Sequence, residues 1–368
     1  MVYKAMMTVD LDKEINKGFA IFPTTRYQGS KRRLLPWFYK IFNEIKFESV
    51  LDGFGGSASI SYLFKLMSKK IYYNDILRSN YQTGVALIEN DSVKLENNDI
   101  EFLLGNSDSQ FPSFITDTFE GIYYYPEENK WLDMVVFNIR KLSQFYKDDI
   151  LRKKQALAFH SLFQACLSKR PFNLFHRKNL YLREADVSRT FGNKKTWDID
   201  FPHLFWKFSL EASSKVFSNN QSNKAFCGDL LLLENHDYDL VYLDPPYERP
   251  SESHPKDYFS LYHFLEGLVD YDNWSSRIDY SKKHRPLQKE SSKFDGLSPL
   301  ERIDLILEKF NDSIIAISYG DPGKPTVDEL KQLLSKYKKN IKVFDTEFSY
   351  KLNKRNGSNL REVLIIGS

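Results

Sequence analysis

The segment at positions 241–247, Val-Tyr-Leu-Asp-Pro-Pro-Tyr, places an acid that can accept hydrogen bonds close to a ring that can stack. The mainly apolar run 239–243 predicts a buried strand. Pro245 and Pro246 cannot donate to a sheet ladder, so this strand must end before them. Asp244 and Tyr247 are therefore expected at the carboxyl edge of a sheet, where α/β proteins bind their ligands. Taken alone, the pattern also fits an ordinary strand-ending turn with a solvated acid, so other features must decide.

A glycine-rich turn follows another short predicted strand in the segment 49–60, Ser-Val-Leu-Asp-Gly-Phe-Gly-Gly-Ser-Ala-Ser-Ile. Asp52 stands at the end of that strand, and the glycines after it would let the backbone approach a ligand closely. Apolar residues at helical spacing follow, so the turn is predicted to lead into a helix. The spacing is not that of the dinucleotide-binding Gly-x-Gly-x-x-Gly motif. A tight strand–helix connection without a ligand is the alternative.

Two further acids stand at the ends of predicted strands. Asp75 follows the strand 70–73, about 20 residues after the glycine turn, where nucleotide-binding folds hydrogen-bond ribose hydroxyls. Asp229 follows a short strand that begins near Ala225. Acids at consecutive strand ends around a glycine turn are a more specific signal than any one of them.

Near the start of the chain, a basic turn precedes a predicted helix that runs from about Leu34 to Ile45. Gly29 and Ser30 mark the turn, and Lys31 follows them. Backbone N–H groups and a lysine at a helix start could bind an anion or a carboxylate. A basic turn at the protein surface is the alternative.

The alternation of strands and helices stops between about Asn80 and Asn223. The stretch 99–125 is predicted to be rich in loops, and helices are predicted near 130–145 and 151–167. From Arg152 to Lys195, basic residues are interleaved with aromatic residues and the acids are few. This composition suits a surface that contacts phosphates and bases, although a solvated charged face is the alternative. The candidate DNA-binding residues are Lys169, Arg170, Asn173, His176, Arg177, Lys178 and Arg183.

The composition limits the classes of protein to consider. A chain of 368 residues predicts about two domains, and 42% hydrophobic with 27% charged residues is typical of globular proteins. The net charge of +3 excludes a uniformly polybasic binder, so affinity for nucleic acid must come from local clusters. Cys166 and Cys227 are the only cysteines and lie far apart in sequence, which gives no zinc-site spacing and no disulfide framework. No signal-type or membrane-spanning apolar run is found, so an intracellular, reducing setting is expected.

The order of these segments resembles the alpha group of DNA adenine-N6 methyltransferases, the family of the DNA adenine methylases. In that family an S-adenosylmethionine motif comes first, a target-recognition region is inserted, and Asp-Pro-Pro-Tyr follows. The resemblance covers about 22–80 and 222–368. The segment 27–31, Tyr-Gln-Gly-Ser-Lys, looks like the N-terminal cofactor motif. The segment 54–58, Phe-Gly-Gly-Ser-Ala, is similar to the Phe-x-Gly-x-Gly loop, with Ala58 where a glycine is usual.

The resemblance implies an α/β fold: a Rossmann-like, S-adenosylmethionine-dependent methyltransferase sheet with an inserted, mainly helical target-recognition domain. The catalytic domain would comprise 1–80 and 222–368, and the DNA-binding insert 81–221. Asp75 corresponds to the ribose-binding acid and Asp229 to the acid near the cofactor adenine. The implied cofactor-binding residues are Tyr27, Lys31, Asp52, Phe54, Gly56, Asp75, Asp229 and Asp244. The implied partner is double-stranded DNA within the cell, with a cognate restriction endonuclease as a candidate further partner.

The residues of the Asp-Pro-Pro-Tyr motif suit transfer of a methyl group to adenine N6. An exocyclic amine is a poor nucleophile because its lone pair is delocalised into the ring. Asp244 and the carbonyl of Pro245 could each accept one amine N–H. The fixed φ of Pro246 helps to orient that carbonyl towards the amine. Tyr247 would stack on an adenine rotated out of the duplex. Catalysis then requires mainly the in-line positioning of the amine and the methyl group, and no metal. Lys31 would bind the carboxylate of the cofactor, and Asp52 would bind its amino group.

Three other interpretations remain at this stage. An RNA exocyclic-amine methyltransferase also carries Asp-Pro-Pro-Tyr, but such chains are typically shorter and lack a long basic insert. An N4-cytosine methyltransferase normally has serine in place of the acid. A catalytically silent DNA-binding protein could keep the fold, although the intact motif residues argue against it. The biological setting stays open among a restriction-modification pair, a phage and a solitary methyltransferase.

Overall fold

The computed structural model describes residues 22–105, 110–185, 194–234, 236–246, 257–288, 291–346 and 361–368. Within these residues, seven strands form one sheet in the order β3-β2-β1-β4-β5-β7-β6. The strands are β1 Ser49–Asp52, β2 Lys70–Asp75, β3 Lys224–Cys227, β4 Leu240–Leu243, β5 Ile314–Asp321, β6 Ile341–Thr346 and β7 Arg361–Gly367. Strands β1 to β5 run parallel, and β7 is antiparallel to both β5 and β6.

Helices precede, connect and follow the strands. They are α1 Leu35–Phe42, α2 Ser59–Leu66, α3 Arg78–Gly84, α4 Asn97–Leu104, α5 Phe114–Thr118, α6 Pro126–Lys141, α7 Asp148–Ser168, α8 Tyr181–Glu184, α9 Lys194–Asp198, α10 Phe201–Ser214, α11 Tyr258–Val269, α12 Trp274–Arg277, α13 Pro299–Lys309 and α14 Val327–Leu334. A 3₁₀ turn, Lys31–Leu34, leads into α1, and a π-helical turn, Val85–Glu89, continues α3. No helix in the described part of the chain is both long and apolar enough to span a membrane.

The order of the strands reverses between β1 and β4, which lie side by side. All of β4 is buried, as the apolar run in its sequence predicts. Asp52 at the end of β1 pairs in register with Tyr242 of β4, and the N–H of Gly53 donates to the carbonyl oxygen of Tyr242 at 3.0 Å. In a doubly wound sheet, the point where the strand order reverses opens a crevice at the carboxyl ends of the strands. The fold therefore brings Asp52 and Asp244 to one edge of the sheet.

Two hydrophobic cores cover the two faces of the sheet. One face carries Val50, Tyr73 and Tyr242 and packs against helices that include α1, α2, α7, α10 and α11. The other face carries Leu51 and Val241 and packs against α13 and α14. The long α7 thus shares a core with the sheet itself, so the helices between β2 and β3 cover one sheet face.

The α/β class predicted from the sequence is confirmed, and the described residues between β2 and β3 form helices and no strand. The division into domains 1–80 with 222–368 and 81–221 stays a prediction, because the helices and the sheet share a core. The prediction of loops over 99–125 is wrong in part, since α4 and α5 lie there. The helix α10 was not expected from the sequence.

Candidate active site

A cavity of about 580 Å³ lies at the carboxyl ends of β1, β2 and β4. Its lining joins the glycine turn after β1, the acids at the strand ends and the Asp-Pro-Pro segment after β4. The residues predicted from the sequence that line it are Tyr27, Lys31, Asp52, Phe54, Gly56, Asp75, Asp229, Asp244, Pro245 and Pro246. The structure therefore brings together parts of the chain, from Tyr27 to Pro246, that are more than 200 residues apart. Tyr247 lies outside the described residues.

The glycine turn is held by bonds to its neighbours on both sides. The N–H of Gly55 donates to the carbonyl oxygen of Asn74 at 2.8 Å, next to the end of β2. A Cβ at Gly55 would overlap the ring of Tyr73, so only glycine lets the turn lie this close to β2. Gly56 has a φ of +51°, a left-handed conformation that glycine adopts without strain. The glycines thus let the turn lie against β2 while it lines the cavity.

Ala58 also adopts a left-handed conformation, with a φ of +62°, immediately before α2. This is the position at which the related motif usually has glycine. A single alanine can take this conformation at a cost of about 1–2 kcal/mol. The turn is therefore formed with alanine at this position, at some cost in backbone strain.

The carboxyl group of Asp52 is buried, with 1% of the residue exposed. Its Oδ2 accepts a hydrogen bond from Ser61 Oγ at 2.6 Å, whereas Oδ1 is buried with no hydrogen-bond partner in the described residues. Burial raises the pKa of Asp52 to about 7, and the Ser61 hydroxyl partly opposes this shift. A buried acceptor left without a donor is costly, which marks Oδ1 as a place for a ligand donor.

Asp75 closes the cavity on the β2 side. Its Oδ2 accepts the N–H of Gly56 at 2.8 Å and the Asn80 amide at 3.1 Å, and its Oδ1 accepts the N–H of Leu77 at 2.8 Å. Burial raises the pKa of Asp75 to about 6, against the lowering effect of these hydrogen bonds. The carboxylate therefore ties the glycine turn to the start of α3 while lining the cavity.

Asp244 is partly exposed, with 23% of its side chain accessible at the cavity. Its Oδ1 lies 3.1 Å from Lys31 Nζ, and the same ammonium lies 2.7 Å from Oε1 of Glu362 on β7. Desolvation raises the pKa of Asp244 to about 6; the Lys31 charge lowers this pKa and the Glu362 charge raises it. Next to Asp244, Pro245 is buried and Pro246 is exposed. One buried lysine therefore bridges two carboxylates at the end of β4.

Stacked tyrosines form another wall of the site. The ring of Tyr27 stacks on that of Tyr262 with centroids 4.7 Å apart and on that of Tyr258 with centroids 5.8 Å apart. Tyr262 is buried, and its hydroxyl accepts the N–H of Gln28 at 2.8 Å. Tyr258 is half-buried and lines the cavity. Of the two tyrosines on α11, only Tyr258 thus offers a surface to a ligand.

Asp229 lines the cavity, but its oxygens already have protein partners. Oδ1 accepts the N–H of Leu231 at 3.0 Å. Oδ2 accepts the Ser292 hydroxyl and the N–H of Lys293, both at 2.8 Å. This carboxylate therefore fixes the segment before α13 against the end of β3, rather than standing open to a ligand.

Comparison with known proteins identifies the family. Residues 27–312 match the model of the D12 class N6 adenine-specific DNA methyltransferases. The chain belongs to this D12 class. It is therefore an enzyme that methylates adenine at specific sites in DNA, and methyltransferases generally use S-adenosylmethionine as the methyl donor. It is also 26% identical, over 94% of this chain and 97% of the relative, to the Type II methyltransferase M2.HphI of Haemophilus parahaemolyticus.

Three of the basic residues predicted to bind DNA are buried in this D12 methyltransferase. Lys169 forms an ion pair with Glu128 at 2.8 Å, and Arg183 forms a two-pronged pair with the same carboxylate. Arg170 is 1% exposed, stacks over the ring of Tyr123 and donates to backbone carbonyl oxygens. These internal contacts assign all three cations to the helical framework, and the prediction of direct DNA contact is not supported for them.

The other predicted DNA-binding residues lie closer to the surface. Arg177 and Lys178 are exposed, and Asn173 and His176 are half-buried. Burial, together with neighbouring positive charges, lowers the pKa of His176 to about 4. The N–H of Phe175 in the same segment donates to the carbonyl oxygen of Leu261, one turn after the cavity residue Tyr258. The exposed cations therefore lie on a segment that is bonded to a cavity-lining helix of the D12 methyltransferase.

Several site residues of the D12 methyltransferase were not found from the sequence. Asn80 donates to Asp75 and to the Tyr27 hydroxyl, which links two cavity walls. Glu362 binds Lys31, and the Ser318 hydroxyl donates to the same oxygen of Glu362 at 2.6 Å. Glu362 directly precedes the apolar run 363–366. A glutamate at this place was a usable signal, because a charged side chain without a partner is rare in a buried strand.

Proposed function

We propose that this D12 methyltransferase transfers the methyl group at the cavity described above, to N6 of an adenine that has been rotated out of the duplex. The observation that carries the proposal is the single cavity that joins the Asp244 end of β4 to the glycine turn and to Asp75. A target atom inside a base stack is out of reach, so the adenine must leave the duplex to enter such a cavity.

The residues around the glycine turn suit S-adenosylmethionine. The unpaired Oδ1 of Asp52 fits the ammonium of its methionine part, because a buried acceptor needs a donor. Asp75, at the end of β2, stands where ribose hydroxyls are bound in related sheets. Because Gly55 packs closely against Tyr73 and has no Cβ, no side chain at this position obstructs the cofactor. When bound, this cofactor would supply a methyl group: its S–CH₃ bond would break to leave a neutral thioether as N6 bonds to the carbon, and N6 would then lose one proton to water.

The chain itself orients the amine. Asp244 accepts one N–H of the adenine amine and the carbonyl oxygen of Pro245 accepts the other, which directs the nitrogen lone pair away from both acceptors. Neither Pro245 nor Pro246 has an N–H that would compete for the carboxylate. Tyr247 stacks on the rotated base in this proposal, and Tyr258 is the nearest alternative on α11. Positioning of this kind can supply a large part of the rate enhancement.

The contacts of Lys31 favour a different role from the one expected from the sequence. A role in binding the cofactor carboxylate would require an ammonium that faces the cofactor. Here Lys31 Nζ contacts Asp244 and Glu362, and only 5% of its side chain is exposed. We therefore assign Lys31 to orienting Asp244.

The biological setting that the comparisons favour is a Type II restriction-modification system. The relative M2.HphI is a Type II methyltransferase, and the similarity extends over nearly the whole of both chains. We propose that this enzyme protects the site of a partner restriction endonuclease. Isolating that endonuclease and finding that it cuts unmodified DNA but not DNA methylated by this enzyme would test the pairing.

The catalytic proposal is tested with S-adenosylmethionine labelled in its methyl group and unmethylated genomic DNA. Label is expected on N6-methyladenine in duplex DNA. Asp244→Ala is expected to lower the transfer rate at least about 100-fold while binding of cofactor and DNA changes less than about threefold. The matched control is Asp237→Ala, an exposed acid just before β4 that does not line the cavity, and it is expected to keep wild-type transfer. Label found only in RNA, or transfer by Asp244→Ala at a comparable rate, would overturn the proposal.

A further inference from the structure

Glu362 has a fully buried carboxylate that contacts Lys31, one of the residues that line the active-site cavity. It lies on β7, opposite Gly320 of β5, and none of its surface is exposed. Its Oε1 accepts the Ser318 hydroxyl at 2.6 Å and contacts Lys31 Nζ at 2.7 Å. Its Oε2 is buried with no hydrogen-bond partner in the described residues. Such a carboxylate is costly to bury unless a cation compensates it, and Lys31 is that cation.

The shared lysine connects Glu362 to Asp244. The distance from Lys31 Nζ is 2.7 Å to Glu362 and 3.1 Å to Asp244 Oδ1. Lys31 begins a 3₁₀ turn, whereas Glu362 and Ser318 stand on the packed strands β7 and β5. The lysine side chain is flexible, whereas Glu362, the closer of its two carboxylate partners, is fixed in the sheet. The sheet, through Glu362, therefore sets where the ammonium lies.

We propose that Glu362 is a positioning residue for methyl transfer: it holds the Lys31 ammonium against Oδ1 of Asp244, so that Oδ2 is left to accept the N–H of the adenine amine. This inference rests on the proposed function of Asp244. Glu362 touches neither the DNA nor the cofactor in this role. It acts through Lys31.

The charges around Asp244 predict how the role of Glu362 affects the pH dependence of methyl transfer. The groups that face Asp244 are Lys31 from the turn before α1, Glu362 from β7, Asp52 from β1 and Tyr242 within β4. Burial raises the pKa of Asp244 to about 6, the Lys31 charge lowers this pKa, and the Glu362 charge raises it. A neutral side chain at position 362 would remove the charge that raises this pKa. The pKa of Asp244 would then fall.

The test compares Glu362→Gln with wild type on unmethylated genomic DNA and labelled S-adenosylmethionine. The glutamine keeps the shape and loses the charge, so Lys31 is held less firmly. We expect kcat to fall about tenfold, with KM for the cofactor changed less than about twofold. The acidic limb of the kcat profile, which reports ionisation of Asp244, is expected to move to lower pH by about half a unit. The matched control is Arg361→Gln, the exposed neighbour on β7, which is expected to leave both kcat and the acidic limb unchanged.

Glu362→Asp provides a second test in case the glutamine variant fails to fold. It keeps the charge but withdraws the carboxylate by one methylene, so kcat is expected to fall while the acidic limb stays near its wild-type position. Wild-type kcat in either folded variant, or an unmoved acidic limb in Glu362→Gln, would overturn the inference. A wild-type enzyme without transfer would instead overturn the proposed function, so the two failures are distinguishable.

Discussion

Three carboxyl groups at the ends of parallel strands share the cavity of this methyltransferase and are perturbed in the same direction. Burial raises the pKa of Asp52 to about 7 and the pKa values of Asp75 and Asp244 to about 6. Their surroundings differ nevertheless. Asp75 accepts three hydrogen bonds from the protein, Asp244 has a lysine, and Asp52 has one hydroxyl and one oxygen without a partner. Of the three acids, Asp52 is thus the one whose buried carboxyl group most needs a hydrogen-bond donor from a ligand.

This difference predicts a pH dependence of cofactor binding. In the proposed function, the ionised form of Asp52 attracts the cofactor ammonium, and that form is lost as the pH falls through about 7. Affinity for S-adenosylmethionine, measured by calorimetry, is expected to be full at pH 8 and about tenfold weaker at pH 6. Asp52→Asn should bind weakly at both values, with most of the pH dependence removed. If the asparagine variant kept the pH dependence of cofactor binding, that dependence would have to come from another titrating group.

Among the structural elements, the glycine turn after β1 depends most on one close approach. Tyr73 cannot yield to a side chain at Gly55, because its hydroxyl lies 2.9 Å from the carbonyl oxygen of Gly56 and 3.0 Å from that of Asn80, and its single hydrogen bonds to one or is shared by both. Gly84 of α3 also approaches the opposite edge of the same ring. The ring is therefore fixed from several sides, and the turn fits against it.

Gly55→Ala is expected to destabilise the protein by about 1–3 kcal/mol, because the added methyl group must displace the fixed ring or the turn. Cofactor affinity should fall as well, since the turn lines the cavity. Gly228→Ala is the matched control for stability only, because Gly228 also lines the cavity: it directly follows β3, and nothing lies within 4 Å of the Cβ that it would add. Thermal and chemical denaturation of both variants would measure the difference. Equal stability of the two would refute the role assigned to Tyr73.

The strands that position the site could be predicted from the sequence, for physical reasons. The central parallel strands β1, β4 and β5 are almost wholly buried, so each forms a short, mainly apolar run with an acid at its end, whereas the edge strand β3 is half-exposed. Asp52, Asp75 and Asp244 therefore stood out by their positions alone. The partner of Glu362 on the antiparallel β7 was not predicted, because Lys31 is more than 300 residues away in sequence.

The charges of the helical insert could not be interpreted in the same way. A sequence gives the sign of a charge but not whether it is buried, and long cationic side chains can be drawn inside by a carboxylate or by aromatic rings. Lys169 and Arg183 share Glu128, which lies more than 40 residues earlier in the chain. Arg170 lies among the rings of Tyr123 and Phe175. The excess of positive charge in this segment thus reflects framework contacts as well as surface.

At the scale of the whole molecule, the helices between β2 and β3 cover one face of the catalytic sheet. His160 of α7 lies 3.2 Å from the hydroxyl of Thr83, just after β2, and the ammonium of Lys65 on α2 donates to the carbonyl oxygens of Leu87 and Asn90. The segment that carries Arg177 and Lys178 is bonded in turn to α11, which lines the cavity. DNA contacts made by this segment would therefore be fixed in position relative to Asp244.

This arrangement predicts which cations bind the DNA backbone. Arg177 and Lys178 are exposed, and each phosphate contact that they make releases counterions on binding. Arg177→Ser combined with Lys178→Ser is expected to weaken binding to genomic DNA and to reduce the slope of log K against log salt concentration by about 2. The matched control is Lys331→Ser combined with Lys336→Ser, two exposed lysines at α14 on the other face of the sheet. Titrations over a range of salt concentrations measure both slopes; an unchanged slope in the first variant would mean that the DNA follows another path over the protein.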